Sequence, residues 1–514
     1  PALLAAIASP TLPLTRATLL AIVSNLRYPT LRLLETTDFH GFVFGSRDRR
    51  SGRAIGGSAV LAAWIEKLRA ENPAGTLLLD GGDCFQGTMI SNLQYGRPIV
   101  EQMNALHYAA TAVGNHEFDW TVDTLEARVR DMRFDALGAN MVERRTQRLP
   151  RWARADTVLT RRGVRIGVLG LCFRGTPTVT LPANVTMLRF DDDSATAARL
   201  VPELRRRDHA QVVVEVGHIP AETDSTMRAL SGDLPRLARG VRGVDVWFGG
   251  HSHNRVLDEI GGAPVMIAGA HGEVVGVCDL VVDPVRGRVL ERHARLQTTW
   301  ADEVTPDSAM AERVKRWNAG IAPLAAQPIA QTPHAITRVT AGGGDSGIGD
   351  LVSDAMRDAV HADVALQNAG GLRADLPQGT ITRGAVYEVM PFDNTIVTEE
   401  LTGADLRELF ANGRVLPLSG LRVTVDMSRP EGQRLAAITM ADGRPLDPAA
   451  RYHVAMNNFM ATGGDNLKIL ANAPHVDTGL LVRDAIEIYI KSRARAGVFD
   501  YGPDGRLQRT GGRD

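Results

Sequence analysis

Over its first three hundred residues the chain alternates short, nearly all-apolar runs with longer stretches whose apolar residues recur every three or four positions. The runs predict strands at 31–35 (LRLLE), 76–80 (TLLLD), 110–114 (ATAVG), 165–171 (RIGVLGL), 211–216 (QVVVEV), 244–249 (VDVWFG) and 265–269 (VMIAG). The spaced stretches predict helices, for example at 57–70 and 121–133. Short strands that are apolar on both faces belong to a buried sheet, and the helices between them supply its cover. The pair 265–269 and 277–283 (VCDLVVD) is expected to form an antiparallel edge.

The pattern changes near residue 303. A polar segment with one helical stretch, about 303–325, runs into Pro323, Pro328 and Pro333, which places a linker at 303–330. Beyond it follow a helix at about 349–360, strands at 363–368, 395–401, 421–426 and 451–457, and a last helix at 480–493. This is a mixed α+β unit with its own core. The expected division of the 514 residues is therefore an N-terminal extension (1–29), an α/β domain (30–302), the linker, a second domain (331–508) and a short tail (509–514). The glycine-rich AGGGDSGIGD (341–350) lacks the GK[ST] ending of a phosphate loop and reads as a turn before a helix.

Composition narrows the function classes. A chain 44% hydrophobic and 23% charged is an ordinary globular one, and a net charge of -1 offers no field for polymeric nucleic acid or an acidic membrane. Arg205 to Arg207 read as a solvated helix face, and no stretch is long enough to span a membrane. The opening PALLAAIASP, with Ala6-Ile7-Ala8, looks like the end of an export signal, so a periplasmic or secreted location is expected. The three cysteines have no CxxC spacing, which argues against a thiolate zinc site; Cys84, Cys172 and Cys278 read as packed thiols.

The chemistry lies where the predicted strands end. Asp38 and His40 (TTDFHG), Asp83 (GGDCFQG), Asn115 and His116 (GNHEFD), His218 (VGHIP), and His251 and His253 (GGHSHN) each follow an apolar run. Residues two apart on an extended segment face the same way, which pairs Asp38 with His40 and His251 with His253. Singly, each motif has a bland reading: a cap, a turn aspartate, a satisfied histidine. Together they make an oxygen and nitrogen donor set that suits two divalent ions such as Mn²⁺, Zn²⁺, Co²⁺ or Fe²⁺, with one carboxylate such as Asp83 able to bridge them. Asp119, one helical turn after His116, is placed to orient that imidazole, so His116 is expected to serve chemistry rather than ligation.

These motifs, read in order, resemble the 5′-nucleotidase family of calcineurin-like metallophosphoesterases over about residues 30–508. The resemblance implies a four-layer α/β/β/α sandwich and a C-terminal α+β substrate-binding domain. It further implies one metal on Asp38, His40, Asp83 and His253, a second on Asp83, Asn115, His218 and His251, and His116 with Asp119 as a catalytic dyad. In the second half, NAGGLRADLPQGTITRGAVYEVMPFDNTIV and NNFMATGGDN are similar to the family's substrate domain. There Phe392 and Phe459 match two rings that sandwich a nucleobase, Arg373 a substrate-contacting arginine, and Asn394 and Asp465 positions that contact base and ribose. The implied reaction is release of phosphate from nucleoside 5′-monophosphates by a metal-bound water or hydroxide. The alternatives are a 2′,3′-cyclic phosphodiesterase/3′-nucleotidase, a nucleotide-sugar hydrolase, or a nucleotide-binding protein without catalysis. Two departures stand out. TAGGGDSG occupies the place of a further family arginine, with Arg338 displaced, and the His218 loop reads GHIP where relatives have His-x-Gly.

Overall fold

The computed structural model describes residues 28–511 apart from residue 49, so the expected export signal lies outside the described residues. Two six-stranded sheets form the first half. In the first, Thr30–Thr36, Thr76–Asp80, Ala110–Ala112 and Asp135–Leu137 run parallel, and Val274–Asp283 and Arg288–Thr298 close one side antiparallel. In the second, Val164–Leu171, Val212–Gly217, Val246–Phe248 and Ala263–Ala268 run parallel between antiparallel edges Asp156–Arg161 and Arg255–Ile260.

Strand alternation explains why the sheets stack. Leu31, Leu33, Leu77 and Leu79 point from the first sheet into one core with Val212, Val214, Val216 and Phe248 of the second. The opposite face of the first sheet, including Leu34 and Leu78, packs on Leu61, Ile65 and Leu68 of helix Ser58–Ala70. The outer face of the second, including Val213 and Trp247, packs on Leu200 and Leu204 of helix Asp193–Arg206 and on Leu234 and Leu237 of helix Asp233–Gly240. Each such side chain contributes roughly 1.5–3 kcal/mol by leaving water. The result is the α/β/β/α sandwich.

The structure departs from the sequence reading at two places. Ala263–Ala268 and Val274–Asp283 do not pair; they lie in different sheets. Gly269, His271 and Gly272 between them have φ of +70, +59 and +67°, a left-handed turn that carries the chain from one sheet to the other. The helix inside the predicted linker, Ser308–Asn318, is also not a spacer. Asp307 caps it by accepting from Met310 N, and Met310, Val314 and Trp317 are buried in the same core as Leu61. The passage between the two halves therefore follows Asn318, through the short helix Ala322–Ala325.

The second half holds a five-stranded sheet in the order Leu418–Ser419, Val364–Leu366, Arg451–Asn457, Thr395–Thr402, His475–Leu481. Helices Gly347–Val360 and Val482–Arg493 cover one face. Helix Gly403–Ala411 and a three-stranded sheet, which contains the predicted strand Leu421–Asp426, cover the other.

If Ser308–Asn318 belongs to the first core, Trp317→Ala costs about 3 kcal/mol of stability by urea denaturation, the usual size for emptying a buried aromatic site. A loss near zero would make the helix a spacer.

Candidate metal centre and substrate pocket

Parallel strands of both sheets end on one side of the sandwich, where open α/β sheets present their ligand-binding loops. Thr30–Thr36 delivers Asp38 and His40, Thr76–Asp80 delivers Asp83, Ala110–Ala112 delivers Asn115, Val212–Gly217 delivers His218, and Val246–Phe248 delivers His251 and His253. The loops turn at once. Asp38, His40, Asp83, His251 and His253 have φ of +51, +51, +54, +69 and +56°. A left-handed conformation costs a residue with a Cβ about 1–2 kcal/mol and persists only where the surroundings enforce it. A Cβ at Gly114 would collide with Asp83 Oδ1, so glycine is required there.

The structure gathers six of the seven predicted ligands into two donor groups, and Asn115 lines the same cavity as Asp83, His251 and His253. Donor atoms of Asp38, His40 and His253 lie within 4.8 Å of one another, as do those of Asp83, His218 and His251. Asp83 joins the two groups: its Oδ2 is 2.9 Å from His218 Nε2 and 4.0 Å from His40 Nε2. Asn115 Oδ1 is buried without a hydrogen-bond partner. His40 Nδ1 donates to the Gln86 carbonyl (2.7 Å) and His218 Nδ1 to the Gly81 carbonyl (2.9 Å), which leaves both Nε2 atoms as lone-pair donors. His40 Nε2 and His253 Nε2 approach to 3.0 Å, and His218 Nε2 faces Asp83 out of line for a hydrogen bond. Lone pairs and carboxylates converging this closely fit divalent cations.

The electrostatics agree. Burial would raise the Asp38 and Asp83 carboxyls; the histidines around them outweigh it and hold both below the usual carboxylate range. Burial drives His40 well down, and burial with the His218 charge pushes His251 down to about 3, so both are neutral, as ligation requires. For His218, burial is overcome by Asp83 and Asp38, which push it up to about 10: the carboxylates demand positive charge at this position.

His116 lies outside both ligand groups. Its Nδ1 is 2.7 Å from Asp119 Oδ2, and Asp119 Oδ1 accepts from Thr180 Oγ1 at 2.9 Å. Its backbone N–H donates to Asp83 Oδ1 at 2.8 Å, which ties the imidazole to the centre. Burial opposes protonation of His116, but the charges of Asp119 and Asp83 prevail and raise its pKa.

From the second half, Arg373 reaches over the ligands: its Nη2 is 3.2 Å from His40 Nε2. The cavity between the halves has a volume of about 250 Å³, and Arg373, Phe392, Asn394, Phe459 and Asp465 all line it. Phe392 lies 5.5 Å from the His116 ring. Phe392 and Phe459 are partly buried: each packs against a core of the second half and also lines the cavity. Asn368 Nδ2 donates to Asp465 Oδ2 (2.8 Å) and Asn394 Nδ2 to Asn458 Oδ1 (2.7 Å).

Sequence reasoning missed the residues that support this set. Glu117, 4% exposed, accepts from the backbone N–H groups of Asp83 and Gly114 through Oε2 and of Cys84 through Oε1, at 2.7–2.9 Å. It stitches the Asp83 loop to the Asn115 loop. Gln86, Asn368 and Thr180 were also missed; Glu117, Gln86 and Asn368 carried a signal in their places inside GNHEFD, GGDCFQG and NAGGLRADLPQG, and Thr180 carried none. Cys84 is a packed thiol that donates to Asp80 Oδ1 at 2.9 Å. Arg338 bonds to Asp375 Oδ1 and to the Leu372 carbonyl and does not line the cavity.

Residues 31–255 match the calcineurin-like phosphoesterase family, and residues 328–472 match the 5′-nucleotidase C-terminal domain. The solved 5′-nucleotidase precursor from Thermus thermophilus is 30% identical, with a TM-score of 0.84 over 94% of this chain and 100% of that one. A 5′-nucleotidase of Diplobatis ommata is 28% identical over 90% of this chain and 87% of its own length. Endonuclease YhcR of Bacillus subtilis (strain 168) is 26% identical over 84% of this chain, which spans only 37% of that protein.

Replacing Asp119 by Asn removes the charge that most favours the His116 imidazolium. At fixed metal content, Asp119→Asn is expected to lower the His116 pKa, so that its proton leaves at lower pH in an NMR titration. An unmoved titration would remove Asp119 from the dyad.

Proposed function

Because the chain belongs to the 5′-nucleotidase family of calcineurin-like phosphoesterases, and so to the phosphoric monoester hydrolases, we propose that it releases phosphate from nucleoside 5′-monophosphates. One observation carries the reading: two aromatic rings share a single cavity with two ligand groups and a histidine–aspartate pair. Asp38, His40, Asp83 and His253 would hold one divalent ion and Asp83, Asn115, His218 and His251 a second, and the pair would supply Lewis acidity, acidify water and neutralise phosphoryl charge.

The chain's own residues do the rest. The Arg373 fork pairs with phosphoryl oxygens at the mouth of the ligand set. His116, kept protonated by Asp119, donates a hydrogen bond to the phosphoryl group and stands ready to protonate the departing alkoxide. Phe392 and Phe459 take the two faces of the base, which tolerates several bases, while Asn394 and the Asn368–Asp465 pair address base and ribose edges.

Arg373 is the single arginine or lysine among the described residues that line the cavity, beside Asp83, Asp119, Asp393 and Asp465. That balance supports a substrate with one phosphate over nucleotide sugars with two. The proposal also includes domains at 30–302, extended by the packed helix Ser308–Asn318, and at 331–508, which close on the nucleotide about the part of the expected 303–330 linker after Asn318. Export to the periplasm or medium is part of the same proposal and rests on the family resemblance. Among the described residues no helix is long and apolar enough to cross a membrane.

Assay of AMP, 3′-AMP, 2′,3′-cyclic AMP and UDP-glucose with Mn²⁺, Zn²⁺ or Co²⁺ tests the substrate. AMP is expected to give the highest kcat/KM; preference for the cyclic or 3′ ester moves the reading to that branch, and tight binding without phosphate release to a binding module. His116→Ala is expected to lower kcat roughly 10²–10⁴-fold with metal retained.

Phe459→Ala is expected to raise KM for AMP and to leave hydrolysis of a small aryl phosphate unchanged. Equal effects on both substrates would reduce Phe459 to core packing.

A further inference from the structure

The segment AGGGDSGIGD takes no part in the cavity. Its two aspartates, Asp345 and Asp350, converge with Asp504 near the end of the chain, one carboxylate oxygen of each lying within 4.8 Å of the others. Asp350 occupies the first turn of helix Gly347–Val360, is 1% exposed, and has no hydrogen-bond partner on either carboxylate oxygen. A buried carboxylate so left is strongly unfavourable unless something neutralises it.

Arg506 stands beside it as an ion-pair partner, but its hydrogen bonds go to Asp504, Asp354 and the Leu418 carbonyl, so one positive charge is shared among several carboxylates. Nε donates to Asp504 Oδ1 (2.9 Å), Nη1 to Asp354 Oδ1 (2.6 Å) and the Leu418 carbonyl (3.2 Å), and Nη2 to Asp504 Oδ2 (3.1 Å) and Asp354 Oδ2 (3.3 Å). Arg506 Nε forms an ion pair with Asp350 Oδ2 at 3.5 Å but no hydrogen bond to it. Arg422 acts on Asp504, and Arg509 packs against Gly343; neither bonds to Asp350. At the centre of the group one guanidinium faces the carboxylates of Asp350, Asp354 and Asp504, and Asp345 adds a further carboxylate. Three carboxylates at the start of this helix repel a phosphate, so the phosphate-loop reading fails on charge as well as on motif.

We propose that Asp345, Asp350 and Asp504 bind a divalent cation of the calcium class, at a site distinct from the Asp83 centre. An all-oxygen donor set with flexible glycine-rich backbone selects such a hard ion. The ion acts as a staple. Asp345 N already donates to the Leu507 carbonyl at 3.0 Å and Asp345 Oδ2 accepts from Arg506 N at 3.0 Å, and the cation fastens the start of the helix to the last strand, Leu507–Thr510. The competing state is protonation, since burial pushes Asp350 up to about 8 in the absence of a cation.

The test is a Ca²⁺ titration of the full chain with Mn²⁺ held at saturation, followed by calorimetry and by thermal melting. Wild type is expected to take up one further Ca²⁺ and to gain ~5–10 °C in Tm at Ca²⁺ 100-fold above Kd. Asp350→Asn is expected to take up none and to show no Ca²⁺-dependent Tm. Asp504→Asn, at an exposed position that serves as well if Asp350→Asn fails to fold, is expected to weaken Kd at least tenfold. Absence of uptake by wild type, or equal uptake by wild type and variants, overturns the site and leaves Asp350 as a protonated acid.

Discussion

A carboxylate buried at the end of a strand, Asp83, is the constraint around which the site is organised. Ionised and 1% exposed, it is stable only where positive charge and hydrogen-bond donors surround it. The fold supplies these from separate elements. His218 comes from the second sheet, the His116 N–H from the loop after Ala110–Ala112, and His40 from the first strand. Glu117 accepts from the Asp83 N–H and fixes the carboxylate's direction. Two stacked sheets with their strand ends aligned are what allow one oxygen to face all of these groups.

The same constraint explains where the backbone is strained. Five of the predicted ligands take left-handed φ, and all five lie in loops that begin within four residues of a buried strand. The dry core between the sheets, with Leu33, Val214 and Phe248 fully buried, anchors those strands and offsets the strain. The second half then adds what the first lacks. Arg373 brings a fixed positive charge over the ligand nitrogens, and Phe392 and Phe459 bring apolar faces; Asn92 Nδ2, donating to the Pro391 carbonyl at 2.9 Å, holds the two halves in that relation.

Much of this is legible in the sequence because it is local. Asp38 with His40, His251 with His253, and His116 with Asp119 are spaced by two or three residues, and glycines flank the turns. Continuous apolar runs such as VVVEV mark the strands that deliver them. What spacing does not encode is what depends on distant chain. Thr180 bonding to Asp119, Glu117 spanning two loops and Asn368 bonding to Asp465 follow from packing. Helix Ser308–Asn318 reads as linker because its exposed face is polar; the buried Met310, Val314 and Trp317 stripe is short enough to be overlooked. The segments 265–269 and 277–283 do not pair because the intervening left-handed turn redirects the chain between sheets, which apolar patterning does not register.

Asp83 is proposed to join two cation sites. Anomalous diffraction at the manganese edge from Mn²⁺-loaded crystals tests it most directly. Two peaks roughly 3.5–4 Å apart, one beside His40 and His253, the other beside His218 and His251, with Asp83 between them, are predicted. A single peak, or two peaks of which one lacks Asp83, would contradict it.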